Sequence, residues 1–233
     1  MKQVKRFLSI RRAALKIMRQ VYDPFHDHVH AREVERTALQ IYQQLPIKTQ
    51  QTVDLELLRL VSILHDSSRK VIGTNLFLEP LLGGYISGYI AYHLMKEAGY
   101  NEKKARYVLS LLRNHESFLG LWRYPADIHE KILEDADLIE QYSMKRLARG
   151  ITYFKQKKFS NFLFNLYIFG LIMMHSLFTP HFHFKISREL SKQNVEELQR
   201  FLLHKKKTFG QLLYQRIFTL LYTKVISKYQ NNF

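Results

Sequence analysis

Five stretches between residues 31 and 139 repeat apolar side chains at spacings of three and four, which restricts this part of the chain to amphipathic helices packed on one another. Ala31 to Leu45 sets Val34, Ala38, Ile41 and Leu45 on one stripe and stops before Pro46, whose ring cannot continue a helix. Thr52 to Asp66 begins at a residue type that caps helices and brings Leu57, Leu60, Val61 and Leu64 to one side. A third pattern runs from Pro80 to Ala98 and stops at Gly99. Asn101 caps the next, which carries Ala105, Val108, Leu111 and Leu112 inward, and Pro125 opens a fifth through Ile128, Ile132, Leu133, Ala136 and Ile139. With 9 glycines and 5 prolines in 233 residues, little interrupts such helices, and the predicted fold class is all-α. A hydrophobic share of 46% suits one sizeable core rather than two.

The two ends differ from this middle. Residues 1 to 22 hold seven Lys or Arg and no acid, and residues 151 to 233 hold thirteen against three acids, so both ends are basic. Such ends suit a phosphate-rich partner, an anionic substrate drawn in by the field, an acidic membrane surface, or simple solubility. The first segment spaces Val4, Leu8, Leu15, Met18 and Val21 as a basic amphipathic helix. It lacks the apolar run and cleavage site of a secretory signal; its Arg-rich, acid-free character also suits a mitochondrial transit segment, but a first helix of the fold is preferred. Residues 159 to 184 carry no charged side chain, and 159–179 has the length of a membrane span. Ser160, Asn161, Asn165, Gly170, His175, Thr179 and Pro180 favour a buried helix of the bundle instead. Ser187 to Lys207 and Phe209 to Lys228 read as two further basic amphipathic helices. The organisation expected is residues 1–22 as a basic helix packed on the core, 23–155 as the central domain, and 156–233 as a helical extension completing the same unit. A cytoplasmic location follows as an expectation, and oligomeric state is left open.

The absence of cysteine removes disulfides, thiolate nucleophiles and thiolate ligands, so any metal must sit on nitrogen and oxygen. His65 and Asp66, adjacent within SILHDSSR, supply one of each. Their side chains diverge by about a quarter turn of helix or slightly more, and one ion between those directions accepts both. An acidic pair, Asp135 and Asp137, follows seventy residues later, and His30 precedes by thirty-five. His30 and Asp137 would fix the ion to the bundle and leave positions open for water and substrate. One divalent ion is expected, and this ligand set suits Mn, Fe, Co, Ni, Zn or Mg alike. Such an ion lowers the pKa of bound water and polarises a phosphoryl oxygen. An HD dipeptide alone carries no weight, and His26, His28 and His30 form a tract that could equally be a solvated turn.

Order and context add weight. His26, Asp27 and His30 with Val34 and Ala38, then VSILHDSSR, SGYIAYHLMKEAGY, LRNHES and DADLIEQYSMKRLAR, occur in the order of the motifs of the HD-domain phosphohydrolase superfamily. The chain resembles its small bacterial members of uncharacterised substrate over residues 20 to 150. The resemblance implies an HD-domain helical bundle, with His30 rather than His28 as first ligand, then His65, Asp66 and Asp137. It brings in His115 and Arg149, while Arg69 and Lys70 stand where a basic residue follows HD. Gly83 and Gly84 replace a histidine that relatives with two metals would need, so one metal is implied. Glu140 replaces a second aspartate at a position behind the ligands.

The activity implied is hydrolysis of a phosphate ester or anhydride, chiefly of a nucleotide, by a metal-activated water. Asp66 and Asp137 would hold the ion and accept a proton. Arg69, Lys70, Arg113 and Arg149 are candidates to neutralise phosphate oxygens, and His115 to position substrate or donate to the leaving oxygen. Two other classes compete: a nucleic-acid-binding protein using the basic C-terminal region beside an accessory HD site, and a membrane-associated HD protein using residues 159–179. No phosphate-cradling or dinucleotide glycine loop is present. HFHF at His181 to Phe184 reads as a loop or aromatic corner rather than a second metal site, and Trp122 as a loop anchor.

Overall fold

The helices begin where short polar side chains accept the first free backbone N–H groups. The structure, a computed structural model, describes residues 2–21, 23, 25–73, 78–115, 125–158 and 182–204. Among the described residues every regular element is helical: α1 (Lys2–Met18), α2 (His28–Gln44), α3 (Ile47–Gln50), α4 (Leu55–Leu64), α5 (Arg69–Ile72), α6 (Glu79–Glu97), α7 (Glu102–His115), α8 (Ile128–Gln141), α9 (Met144–Gln156) and α10 (Lys185–His204). Asp27 caps α2 by accepting from the amides of Val29 and His30, so that helix starts three residues before the Ala31 predicted from the apolar stripe. Asp54 rather than Thr52 caps α4, and Asp127 rather than Pro125 opens α8, because in each case the carboxylate reaches an amide of the first turn. Asn101 caps α7 through the amide of Lys104 at 2.8 Å. Gly99, at φ +79°, closes α6 with two return bonds, Gly99 N to Lys96 O and Tyr100 N to Met95 O, each 2.9 Å.

The predicted stripes of α2, α4, α7 and α8 face one core, whereas in α1 the predicted Val4 and Leu8 are exposed and Phe7, Ile10 and Ala14 join Met18 on the buried face. Val34, Ala38 and Ile41 of α2 meet Ile132, Leu133, Ala136 and Ile139 of α8 on one side and α4 on the other. α4 is apolar nearly all round, with Leu57, Leu58, Leu60, Val61, Ile63 and Leu64 all buried, as a helix surrounded by others must be. Each fully buried side chain of this kind contributes about 1.5–3 kcal/mol. The burial fixes α4 in place, and with it the two residues that follow, His65 and Asp66. α6 and α7 form a close antiparallel pair. A methyl group at Gly84 would stand 2.7 Å from the carbonyl oxygens of Leu112 and Arg113, and one at Gly88 2.8 Å from that of Leu109, so the missing side chains let the two backbones approach. α10 lies against α8, α2 and α9. The helix predicted over 209–228, the segment 159–179 and Trp122 lie outside the described residues.

α1 is held to this core by Phe7, Ile10, Ala14 and Met18 and by one buried carboxylate. Glu35 of α2 accepts from Arg11 Nε and Nη2 of α1 at 3.0 and 2.6 Å and from Arg59 Nε of α4 at 2.9 Å. Glu35→Ala should therefore lower stability by about 2 kcal/mol in urea denaturation. That lies below the cost of opening a fully buried pair, because both arginines can turn to solvent.

Candidate metal centre

Side chains from α2, the C-terminal end of α4 and α8 meet beside Asp66. His30 stands in the first turn of α2, His65 ends α4 with helical backbone angles, Asp66 follows in the turn leading to α5, and Asp137 sits inside α8. His30 Nε2 lies 3.1 Å from His65 Nε2, 3.3 Å from Asp66 Oδ2 and 3.2 Å from Asp137 Oδ1. His65 Nε2 lies 3.3 Å from Asp66 Oδ2 and 3.7 Å from Asp137 Oδ1. Donors around one ion at about 2.1 Å stand roughly 3 to 3.5 Å apart, so the spacing of His30, His65 and Asp137 fits a shared cation, with Asp66 beside both imidazoles. The two histidines and Asp66 are buried. Asp66 Oδ2 has no hydrogen-bond donor although buried, the condition of an oxygen whose partner is a cation.

The far side of each imidazole orients it. His65 Nδ1 lies 3.0 Å from the carbonyl oxygen of Ser62, to which it donates. His30 Nδ1 donates to Glu140 Oε2 at 2.8 Å. Both rings then turn an Nε2 lone pair to the common point, where two lone pairs 3.1 Å apart require a positive charge between them, a proton or a metal. Glu140 in turn accepts from Arg146 Nη1 at 2.9 Å and Arg149 Nη2 at 2.7 Å, which ties α8 and α9 to the centre. Burial favours its neutral form, but His30, Arg146 and Arg149 outweigh that and hold its carboxyl below the usual range.

Burial likewise works against charge on both ligand-position histidines, and the facing carboxylates prevail. Glu140, Asp137 and Asp66 hold His30 well above the ordinary imidazole value, and Asp66 and Asp137 raise His65 to about 9. Asp66 and Asp137 are held well below the usual carboxylate range, against burial, by His65, His30 and, for Asp66, His26. A raised histidine stabilises the fold fully below about pH 6.5, and the gain is lost as pH rises through its folded value; a lowered aspartate stabilises above about pH 3.8 and loses its effect on acidification. Metal-free protein should therefore become easier to unfold in urea as pH rises from 6.5 through about 9. A bound divalent ion should abolish that fall by taking the proton's place.

The remaining candidates fall at different distances from the centre. Arg69 Nε lies 3.1 Å from Asp66 Oδ1 and its Nη1 3.6 Å from Asp23 Oδ2. Lys70 is exposed on α5. Arg149, besides its bond to Glu140, has Nε and Nη1 buried without hydrogen-bond acceptors. The His115 ring meets that of His65 edge-on at 5.4 Å, and its Nδ1 is buried without a partner. Burial first, and the neighbouring His65 charge second, push the His115 pKa down. Arg113 is exposed and lies over the Tyr85 ring, 5.6 Å from its centroid.

Asp135, paired with Asp137 in the sequence, turns the other way, because residues two apart on a helix point to nearly opposite sides. It accepts from the backbone amides of His183 and Phe184 at 3.0 and 3.2 Å, ahead of α10. His183 itself bonds Glu134 at 3.0 Å, so the described part of HFHF is a packed connection. Sequence reasoning passed over Arg146, Asp23 and Glu79, and used His26 only as the opening residue of a motif. Asp23 bonds the His26 ring, His26 Nε2 lies 3.3 Å from Arg146 Nη2, and Ser68 Oγ donates to Glu79 at 2.8 Å. A signal for Arg146 was available: Ser143 caps α9, and Arg146 and Arg149, three apart, share the face that meets Glu140.

Three solved structures resemble this arrangement of helices. A predicted HD superfamily hydrolase from an uncultured Thermotogales bacterium matches with a TM-score of 0.55 and 21% identity, over 84% of this chain and 92% of that one. An HD-superfamily hydrolase from Bacillus thuringiensis matches with a TM-score of 0.56 and 16% identity, over 87% and 95%. The chain has the HD-domain fold. YpgQ of Bacillus subtilis, solved in complex with ADP, shares the fold with a TM-score of 0.59 and 17% identity, over 87% and 94%. No protein-family model matches the chain, and no curated protein does. Among the described residues of this HD fold, His30, His65 and Asp137 form a group able to hold a metal ion, and no helix is long and apolar enough to cross a membrane.

Proposed function

We propose that this protein is a metal-dependent phosphohydrolase that cleaves a phosphate ester or anhydride of a nucleotide. The observation that carries the reading is the convergence of His30 Nε2, His65 Nε2 and Asp137 Oδ1 at separations of 3.1 to 3.7 Å, with Asp66 Oδ2 3.3 Å from both imidazole nitrogens. These four would hold one divalent ion, whose chemistry when bound is to polarise a phosphoryl oxygen and acidify a water. With two neutral imidazoles and two carboxylates, the set balances the charge of such an ion. Glu140 and the Ser62 carbonyl fix the tautomers that ligation requires.

The surrounding cations suit an anionic substrate. Arg149 Nε is buried without a hydrogen-bond acceptor and its Nη1 has Asp27 Oδ1 at 3.7 Å, beyond hydrogen-bond reach, so a phosphate oxygen is the kind of group that would satisfy them. Arg69, next to Asp66, and exposed Lys70 would extend the positive rim. A depressed pKa keeps His115 neutral at pH 7, which suits orienting substrate through hydrogen bonds better than donating a proton. The ADP in the structure of the similarly folded YpgQ supports a nucleotide as the substrate class. Elemental analysis of the purified protein, beside a panel of nucleotides and phosphate esters assayed with Mn, Co, Ni and Mg, tests the reading. Metal-stimulated phosphate release supports it; release with none of the four ions removes it.

A further inference from the structure

α1 buries one face and leaves the other unmatched in charge. Phe7, Ile10, Ala14 and Met18 point into the core, while Lys5, Ser9, Arg12, Lys16 and Arg19 are exposed. These five succeed one another at steps of four, three, four and three, so they form one line along the helix. From Lys5 to Arg19 the line is about 21 Å long at 1.5 Å per residue. Four of its five members are cationic, and α1 contains no acid.

Among the described residues several exposed cations elsewhere on the molecule have an acid beside them, whereas Lys48, Lys70 and Lys103 stand singly. Arg36 pairs with Glu33, Lys96 and Arg106 with Glu102, Lys104 with Asp54, Lys145 with Glu33, and Lys192 with Glu196. Among the described residues Lys5, Arg12, Lys16 and Arg19 form no such pair. The line is also rigidly mounted. Arg11 of α1 is clamped by Glu35, Arg6 lies over the Tyr100 ring at 5.3 Å from its centroid, and Arg59 lies over the Phe7 ring at 4.6 Å.

We infer that the outer face of α1 is a docking surface for the phosphate backbone of a nucleic-acid strand. A straight row of cations at fixed spacing matches a linear polyanion. An anionic membrane would be met best by a helix free to bury its apolar side; Phe7, Ile10, Ala14 and Met18 of α1 are spent on the core, and Val4 and Leu8 near its start are the large apolar residues left exposed. No aromatic side chain is exposed on this face, so nothing there stacks on bases, and binding is independent of sequence. The inference does not depend on the metal centre.

The test uses the full chain and fluorescence anisotropy of a labelled 20-nucleotide single strand of mixed sequence, titrated at several salt concentrations. The variant K5E/R12E/K16E/R19E should bind at least tenfold more weakly than the parent at low salt. Its slope of log affinity against log salt should be shallower by about 3, the contribution of four phosphate contacts on a single strand. The variant K48E/K103E/K185E/K192E, an equal charge change at exposed positions elsewhere, should retain binding. Should reversed charges prevent folding, judged by circular dichroism, the set K5Q/R12Q/K16Q/R19Q is read instead, with the same sign. Equal binding by parent and α1 variant overturns the inference, as does equal loss in the control variant. Binding of the parent to phosphatidylserine vesicles but not to the oligonucleotide assigns the face to a membrane and overturns it too.

Discussion

Replacing His65 or Asp137 by alanine is expected to remove both metal and turnover while leaving the helices folded. His65 Nε2 and Asp137 Oδ1 lie 3.7 Å apart and each faces His30, so either deletion takes one of four inward donors from the centre. The hydrophobic contacts of α4 and α8 come from other residues, Leu57, Leu60, Val61 and Leu64 on one and Ile132, Leu133, Ala136 and Ile139 on the other. Activity should fall by on the order of 10² to 10³ or more, the scale of losing one electrostatic stabiliser of developing charge. Elemental analysis reads the metal, phosphate release reads turnover, and circular dichroism reads the fold. Turnover retained in either variant would mean that the chemistry happens elsewhere.

A second large effect should come from a residue that touches neither metal nor substrate. Glu140 is buried and accepts from His30 Nδ1, Arg146 and Arg149 at 2.7 to 2.9 Å. Glu140→Gln keeps the shape but has one oxygen where three donors arrive, and its amide N–H groups must face another donor. It also takes from Arg146 and Arg149 the carboxylate they share, leaving Arg149 with Asp27 at 3.7 Å. Metal affinity should fall about 10- to 100-fold, the usual cost of losing the group that orients a ligand histidine. Stability should fall by about 3 kcal/mol, because buried Arg146 and partly buried Arg149 lose their shared buried partner. Metal titration and urea denaturation measure the two separately. A variant with unchanged affinity would show that His30 holds its orientation without Glu140.

How much of this was legible beforehand varies by residue. Val34, Ala38 and Ile41, or Ala105, Val108 and Leu111, announce buried faces because helical periodicity is local and the core rewards it directly. Helix starts were less legible. Thr52 and Asp54, or Pro125 and Asp127, are all acceptable openings, and only the chain's path decides which oxygen meets a free amide. Asp135 and Asp137 looked like one acidic pair, and the helix separates them onto opposite duties. Arg146 shares a helix face with Arg149, a local mark, but its other neighbours in the site, His30 and His26, come from a distant part of the chain.

The order of residues by itself determined the helical class, the apolar faces and the nitrogen and oxygen chemistry available, because each depends on side-chain type and short-range spacing. Only the tertiary structure decided that His30 and His65, thirty-five residues apart, set their Nε2 atoms 3.1 Å from each other beside Asp66 and Asp137. That meeting depends on how α2 and α8 pack around α4 and on the hydrogen bonds that turn each ring, and neither is carried by local spacing.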